Sequence, residues 1–163
     1  ALYPTLARLR QRIEFRLLVV SNAPPPPLAG VEIEFLPWSP QVEVSCYHRM
    51  DVGIYPLADD PWTRGKCGFK AIQYLACGVP VVGSGVGVIP QIVSPGETGF
   101  VANGDDEWLV ALERLLADIS LRQRLGARGR ERIIERYSVS SVVDSLAAGL
   151  RSAAAGGIAM VNS

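Results

Sequence analysis

A chain of 163 residues with 48% hydrophobic and 20% charged content fits one ordinary domain that buries its own core, and is too apolar to stay disordered. Its 16 basic and 16 acidic residues cancel to zero formal charge, which leaves no global field for nucleic acid or acidic lipid, so any anion site must be local. One histidine and three cysteines without CxxC spacing give little material for a His-based triad, a metal site or a disulfide framework, and read as reduced thiols in a cytoplasmic protein.

The N-terminus lacks signal-peptide organisation, and no apolar run reaches the roughly 18 residues that span a bilayer. Peripheral contact at the inner membrane face stays open.

Residues 3–12 read as a helix with Leu6, Leu9 and Ile13 on its apolar stripe and Arg8, Arg10 and Arg12 mainly on the other side. Residues 15–20 have the pattern of a buried strand, ended by Ser21 and Asn22. Pro24 to Pro27 form a rigid turn, after which strand-like sequence resumes at once. Residues 31–36 alternate apolar side chains with Glu32 and Glu34, as a strand nearer a sheet edge does. Pro37, Trp38 and Pro40 then punctuate a loop before a helix over about 41–49.

Residues 51–82 form the unit on which the rest is organised. Val52, Ile54 and Tyr55 make one short strand, and Val79, Val81 and Val82 another. Between them Phe69, Ile72, Leu75 and Ala76 fall three and four apart on an apolar helix face, with Lys66, Lys70 and Gln73 on a different face. Gly65 and Gly68 bracket the helix start, where unpaired N–H groups and the helix dipole favour an anion. Two lysines beside such a terminus point to a phosphate site; the competing reading is an exposed helix start with solvated lysines.

Small residues at 83–87 either admit a ligand or make a sharp turn. Residues 88–93 read as a short helix, 99–102 as a last strand, and Asp105 or Asp106 as the cap of a helix to about Asp118. An Arg-rich helix over 121–137, most simply a solvated face, precedes a closing helix over 138–151. Strands alternating with helices predict a Rossmann-like three-layer α/β/α fold with a mainly parallel sheet. Ligands in such sheets bind beyond the strand carboxyl ends. The loops after Val20, Leu36, Leu57 and Val82 converge there, with Lys66 and Gly68. Trp38 and Trp62 either stack on a base or sugar or pack under loops. Asp59, Asp60, Glu97 and Thr98 read as turn formers, and His48 as structural.

The succession PL-x-D-D-x-W, GK-x-G-x-K, QY-x-A-C-G-x-P-V-V and G-x-G-V, followed by GETGFVA (96–102), DEWLVALERLLAD (106–118) and LRQRLGARGRERIIERYS (121–138), resembles the nucleotide-sugar-binding half of the group 1 (family 4) glycosyltransferases of GT-B fold. The resemblance covers residues 15–150. It implies that residues 1–150 are a donor-binding domain and 151–163 a flexible tail. The family's domain opens with a strand and a basic loop that this sequence lacks, and that strand is central in the usual order. The sheet is then expected to rearrange, to borrow a strand, even from a second copy as a dimer, or to leave backbone groups unpaired.

The resemblance further implies a nucleoside-diphosphate sugar as donor, no cofactor or metal, and a hexosyl transfer to a glycan, lipid or other small acceptor held by an N-terminal domain. It assigns Gly65, Lys66, Gly68, Phe69, Lys70 and Gln73 to the donor, Lys66 to stabilising the leaving diphosphate, and Pro37 and Trp38 to the base region, and it favours ligand approach at the small residues 83–87. In place of the family's Glu-x₇-Glu this chain has Gly65 and Gln73. The second glutamate usually binds ribose, a role open to the Gln73 amide. Loss of both carboxylates keeps a catalytically silent nucleotide-binding or interaction module as an alternative. A nucleotide-sugar epimerase is a further one, although the acidic and histidine residues it normally needs are not seen.

Overall fold

Helices and strands alternate along residues 2–156, which the computed structural model describes. The chain opens with α1 (Tyr3–Arg10), β1 (Arg16–Ser21), β2 (Glu32–Pro37) and α2 (Pro40–Tyr47). The central unit follows as β3 (Gly53–Tyr55), α3 (Pro61–Arg64), α4 (Phe69–Ala76) and β4 (Val81–Ser84). Then come α5 (Ile89–Ile92), β5 (Gly99–Ala102), α6 (Asp105–Ala117), α7 (Ile119–Tyr137) and α8 (Val139–Gly156).

The layering is legible at two adjacent residues. Val81 and Val82 of β4 are both fully buried, yet Val82 packs with Leu6, Leu9 and Trp108 while Val81 packs with Leu75, Ile89 and Ile133. Successive strand residues face opposite sides, so α1 and α6 cover one face and α4 and α5 the other. Helix α7 reaches both clusters, through Leu125 on one side and Ile133 on the other. This is the Rossmann-like α/β arrangement expected from the alternation.

Among the described residues every strand pairing is parallel, but the strands form two sheets. β1 pairs β2 from Arg16↔Glu32 to Ser21↔Pro37, and β3, β4 and β5 form the other in that order. No pairing joins β1 to β3. A cleft of about 350 Å³ lies there, lined by Phe15, Leu17 and Leu18 on one side and Val52 and Ile54 on the other, with Leu9 and Leu112 also on its wall. Among the described residues, no strand pairs with the edges of β1 and β3 that face this cleft. Leu17 to Val20 are consequently half-buried rather than buried, as a doubly covered strand would be.

Two expected details change. Asp105 and Asp106 do not cap α6, whose N-cap is Gly104 with no side-chain bond. Asp105 instead accepts a hydrogen bond from the fully buried Thr5 hydroxyl (3.0 Å), and Asp106 pairs with Arg8 (2.8 Å). A buried hydroxyl needs a partner more than an exposed helix start does, so these carboxylates tie α1 to α6. The last helix continues to Gly156, so the expected tail from 151 begins as helix, and residues 157–163 lie outside the described residues. No helix among the described residues is long and apolar enough to cross a membrane.

Candidate functional site

The loop after β3 is fixed from both ends. The Leu57 amide donates to Ser84 Oγ at the end of β4 (2.9 Å), so the loop is pinned to the neighbouring strand's carboxyl end. Further on, Asp60 and Thr63 close a reciprocal capping box on α3: Thr63 N–H donates to Asp60 Oδ1 (2.8 Å) and Asp60 N–H to Thr63 Oγ1 (3.2 Å). Arg64 grips Asp59 through two bonds of 2.6 and 3.0 Å. Asp59 and Asp60 are therefore structural, as expected of turn formers. Arg64 holds the Asp59 carboxyl below its ordinary value, and the Thr63 amide does the same for Asp60.

This bracing delivers residues 65–68 to the start of α4. Gly68 is the N-cap in the left-handed conformation, φ 70°. It is buried against α5, where an added Cβ would run into Ile92 and crowd Val88 and Ile89. Glycine alone satisfies both demands. The first amides of α4 then lie unpaired by the helix, as at any helix start.

Beside this terminus opens a shallow pocket of about 560 Å³. It brings together six of the residues expected from the sequence: Trp38, Lys66, Gly68, Phe69, Lys70 and Gln73. Gly65 and Pro37 do not line it. Gly65 caps the end of α3, and Pro37 ends β2 with an exposed side chain. Trp38 is 42% exposed and presents its ring to the pocket, whereas Trp62 is 79% exposed on α3 and packs under nothing.

Glu43, Tyr55 and Cys67 complete the lining, and Tyr47 stands behind it. Trp38 Nε1 donates to Glu43 Oε1 (3.1 Å), and Lys70 Nζ lies 3.7 Å from the same oxygen. Lys70 also donates to the Tyr47 hydroxyl (3.2 Å), which donates in turn to Gln73 Oε1 (2.9 Å). The Trp38 bond holds the Glu43 carboxyl below its ordinary value against the opposing cost of burial, with the Gln73 amide and the Lys70 charge helping. Burial, followed by the Glu43 charge, pushes the Tyr47 phenol up. It stays neutral and able to accept and donate at once. The pocket therefore holds two cations, one carboxylate and an aromatic face beside an anion-favouring helix start.

The carboxylate was not foreseen. Its signal was present, since Glu43 and Tyr47 stand four apart on one helix and so share a face, but only tertiary packing puts that face against α4. The glycines at 83–87 are packed closely against the protein's own atoms. A Cβ at Gly85 would meet Asn103, and one at Gly87 (φ 57°) would press on the Arg64 backbone. None of them lines the pocket. Residues 94–98 form the expected turn, with Thr98 N–H donating to Ser94 O (3.0 Å) and Ser94 N–H to Thr98 Oγ1 (2.9 Å). His48 is the C-cap of α2.

With the geometry in place, likeness to known proteins is informative. The family described as glycosyl transferases group 1 matches residues 1–118. Over 102 residues the chain is 37% identical to a D-inositol 3-phosphate glycosyltransferase of Corynebacterium diphtheriae, covering 61% of this chain and 23% of that protein. Over 78 residues it is 35% identical to the N-acetyl-α-D-glucosaminyl L-malate synthase of Bacillus anthracis, covering 47% and 20%. Among solved structures, sucrose-phosphate synthase from Thermosynechococcus elongatus aligns with TM-score 0.78 at 24% identity, over 95% of this chain and 43% of that one. Anabaena HepE in complex with UDP-glucose aligns with TM-score 0.70 at 19% identity, over 93% and 44%. The chain thus spans about a fifth of the length of these curated relatives, and the structural likenesses show the fold. The family match extends over well more than half of the sequence and agrees with the parallel α/β architecture: the chain belongs to the group 1 glycosyl transferases.

Proposed function

We propose that residues 1–150 are the donor-binding half of a GT-B hexosyltransferase and that the pocket at the start of α4 takes the diphosphate of a nucleoside-diphosphate sugar. The observation that carries the reading is the convergence of Lys66, Lys70 and the α4 N-terminus beside Trp38, beyond the carboxyl ends of parallel strands, where such sheets bind ligands. HepE, of like fold, is described with UDP and with UDP-glucose bound, which favours a nucleotide sugar over a free phosphate.

In this reading Lys66 and the Phe69 amide face the leaving diphosphate, whose charge grows as the glycosidic bond breaks. Fixed donors aimed at developing charge lower the barrier. The glycan, lipid or small-molecule acceptor is held by a second domain, so this chain alone binds donor and transfers no sugar. The unpaired edges of β1 and β3 accept one further strand. A right-handed crossover through α1 into β1 would put a preceding strand beside β1, in the cleft that Leu9 of α1 lines.

Calorimetric titration with UDP and GDP, without divalent metal, tests the donor reading. One of them binds, and Lys66→Ala weakens it roughly tenfold, about 1.4 kcal/mol. Binding that is indifferent to Lys66→Ala contradicts the reading. Binding of neither nucleotide favours the silent interaction module.

A further inference from the structure

Glu43 sits awkwardly in an anion pocket. A carboxylate beside two lysines repels a diphosphate, so its place there makes sense only if some other part of the ligand offers it hydrogen-bond donors. Its neighbours define that part. On one side it is bonded to the indole of Trp38 (3.1 Å), whose exposed ring suits a base. On the other, Lys70 Nζ stands 3.7 Å away, next to the α4 terminus that suits phosphate. Indole, carboxylate and lysine thus succeed one another in the order of base, ribose and diphosphate along a nucleotide.

Gln73 is already occupied. Its carbonyl accepts from the Tyr47 hydroxyl (2.9 Å), and its amide lies close enough to Glu43 to help hold that carboxyl below its ordinary value. Resting on the donor-site reading above, we infer that Glu43 receives the ribose hydroxyls of the nucleoside diphosphate, and that Gln73 and Tyr47 position it. The two hydroxyls donate to the carboxylate, which replaces on α2 an acceptor that α4 does not supply. Lys70 serves both ends, offsetting the Glu43 charge and approaching the phosphates.

The test is a set of calorimetric titrations on the 163-residue chain and its Glu43→Gln variant. The probes are UDP and GDP, their 2′,3′-dideoxy forms, and inorganic pyrophosphate. The unmodified chain binds the ribonucleotide at least tenfold tighter than its dideoxy form. Glu43→Gln binds the two alike, while its affinity for pyrophosphate is equal or higher because a repelling charge has gone. Equal melting temperatures show that the fold is kept, as the carboxamide oxygen still accepts from Trp38. Gln73→Leu loses the ribose discrimination in part and keeps pyrophosphate binding, a split that a merely structural role does not produce. Full discrimination retained in Glu43→Gln overturns the ribose assignment and leaves the donor site standing. Ribonucleotide and pyrophosphate binding that are both unaffected by Lys66→Ala overturn the donor site and this inference with it.

Discussion

Two glycines three positions apart, between α3 and α4, show how unequal similar residues are. Gly68 combines φ 70° with a neighbour in the way of any Cβ, whereas Gly65 has φ −81° and would bring a Cβ only within ordinary contact of backbone oxygens. Gly68→Ala therefore costs about 1–3 kcal/mol from the left-handed backbone alone, and also displaces the α4 amides from the pocket. Gly65→Ala stays within about 0.5 kcal/mol, as a surface change away from such features does. Thermal unfolding of the two variants checks both. Tyr47→Phe removes the hydroxyl joining Lys70 to Gln73 and lowers stability by about 1 kcal/mol, with a matching loss of ribose discrimination.

The elements respond to pH at both ends of the scale. Glu34, Glu43, Asp59 and Asp60 all have carboxyls held below their ordinary values, chiefly by Arg49, Trp38, Arg64 and Thr63 in turn. A folded-state value below the unfolded one gives stability that is present above the ordinary 4.5 of glutamate or 3.8 of aspartate. It is lost as the pH falls through the folded values. Tyr74 behaves oppositely, since burial pushes its phenol from 10.0 to about 12. Its contribution is complete below pH 10 and lost as the pH rises through the folded value. Melting temperatures across pH 3–11 should therefore be flat in the middle and fall at both ends, on the order of the classical optimum range.

The helices and strands were largely legible because each has its period or punctuation: the Phe69, Ile72 and Leu75 stripe, the Val81–Val82 pair, the alternation around Glu32 and Glu34. The four-residue α3 was not, because one turn carries no period. Its capping box, Asp60 with Thr63, was its sole local sign. Lys70 and Gln73 were found from spacing on one helix, whereas Lys66, expected on the same helix face, lies in the segment between α3 and the Gly68 N-cap of α4. Glu43 was missed because its partners lie on another element, and spacing within α2 says nothing of what α2 packs against.

At the scale of the molecule, the division of the sheet is the main consequence of the strand inventory. β4 is flanked on both sides and buried along its length, whereas β1 and β3 each have one unpaired edge along a cleft. Hydrogen exchange followed by NMR should show the cleft-facing amides of β1 and β3 exchanging far faster than those of β4, since unpaired edges lack protecting partners. Uniform protection across the five strands would mean that the two sheets join. A short parallel peptide strand that slows exchange at both edges would support completion of the sheet from elsewhere in the protein.

The most direct measurement is a crystal structure of this chain with the nucleoside diphosphate that binds it. The account predicts the diphosphate at the start of α4, within hydrogen-bonding distance of Lys66 and the Phe69 amide, with the ribose against Glu43 and the base against Trp38. A nucleotide seated elsewhere, such as the arginine-lined hollow between residues 96–98 and Arg128 and Arg132 of α7, would contradict it.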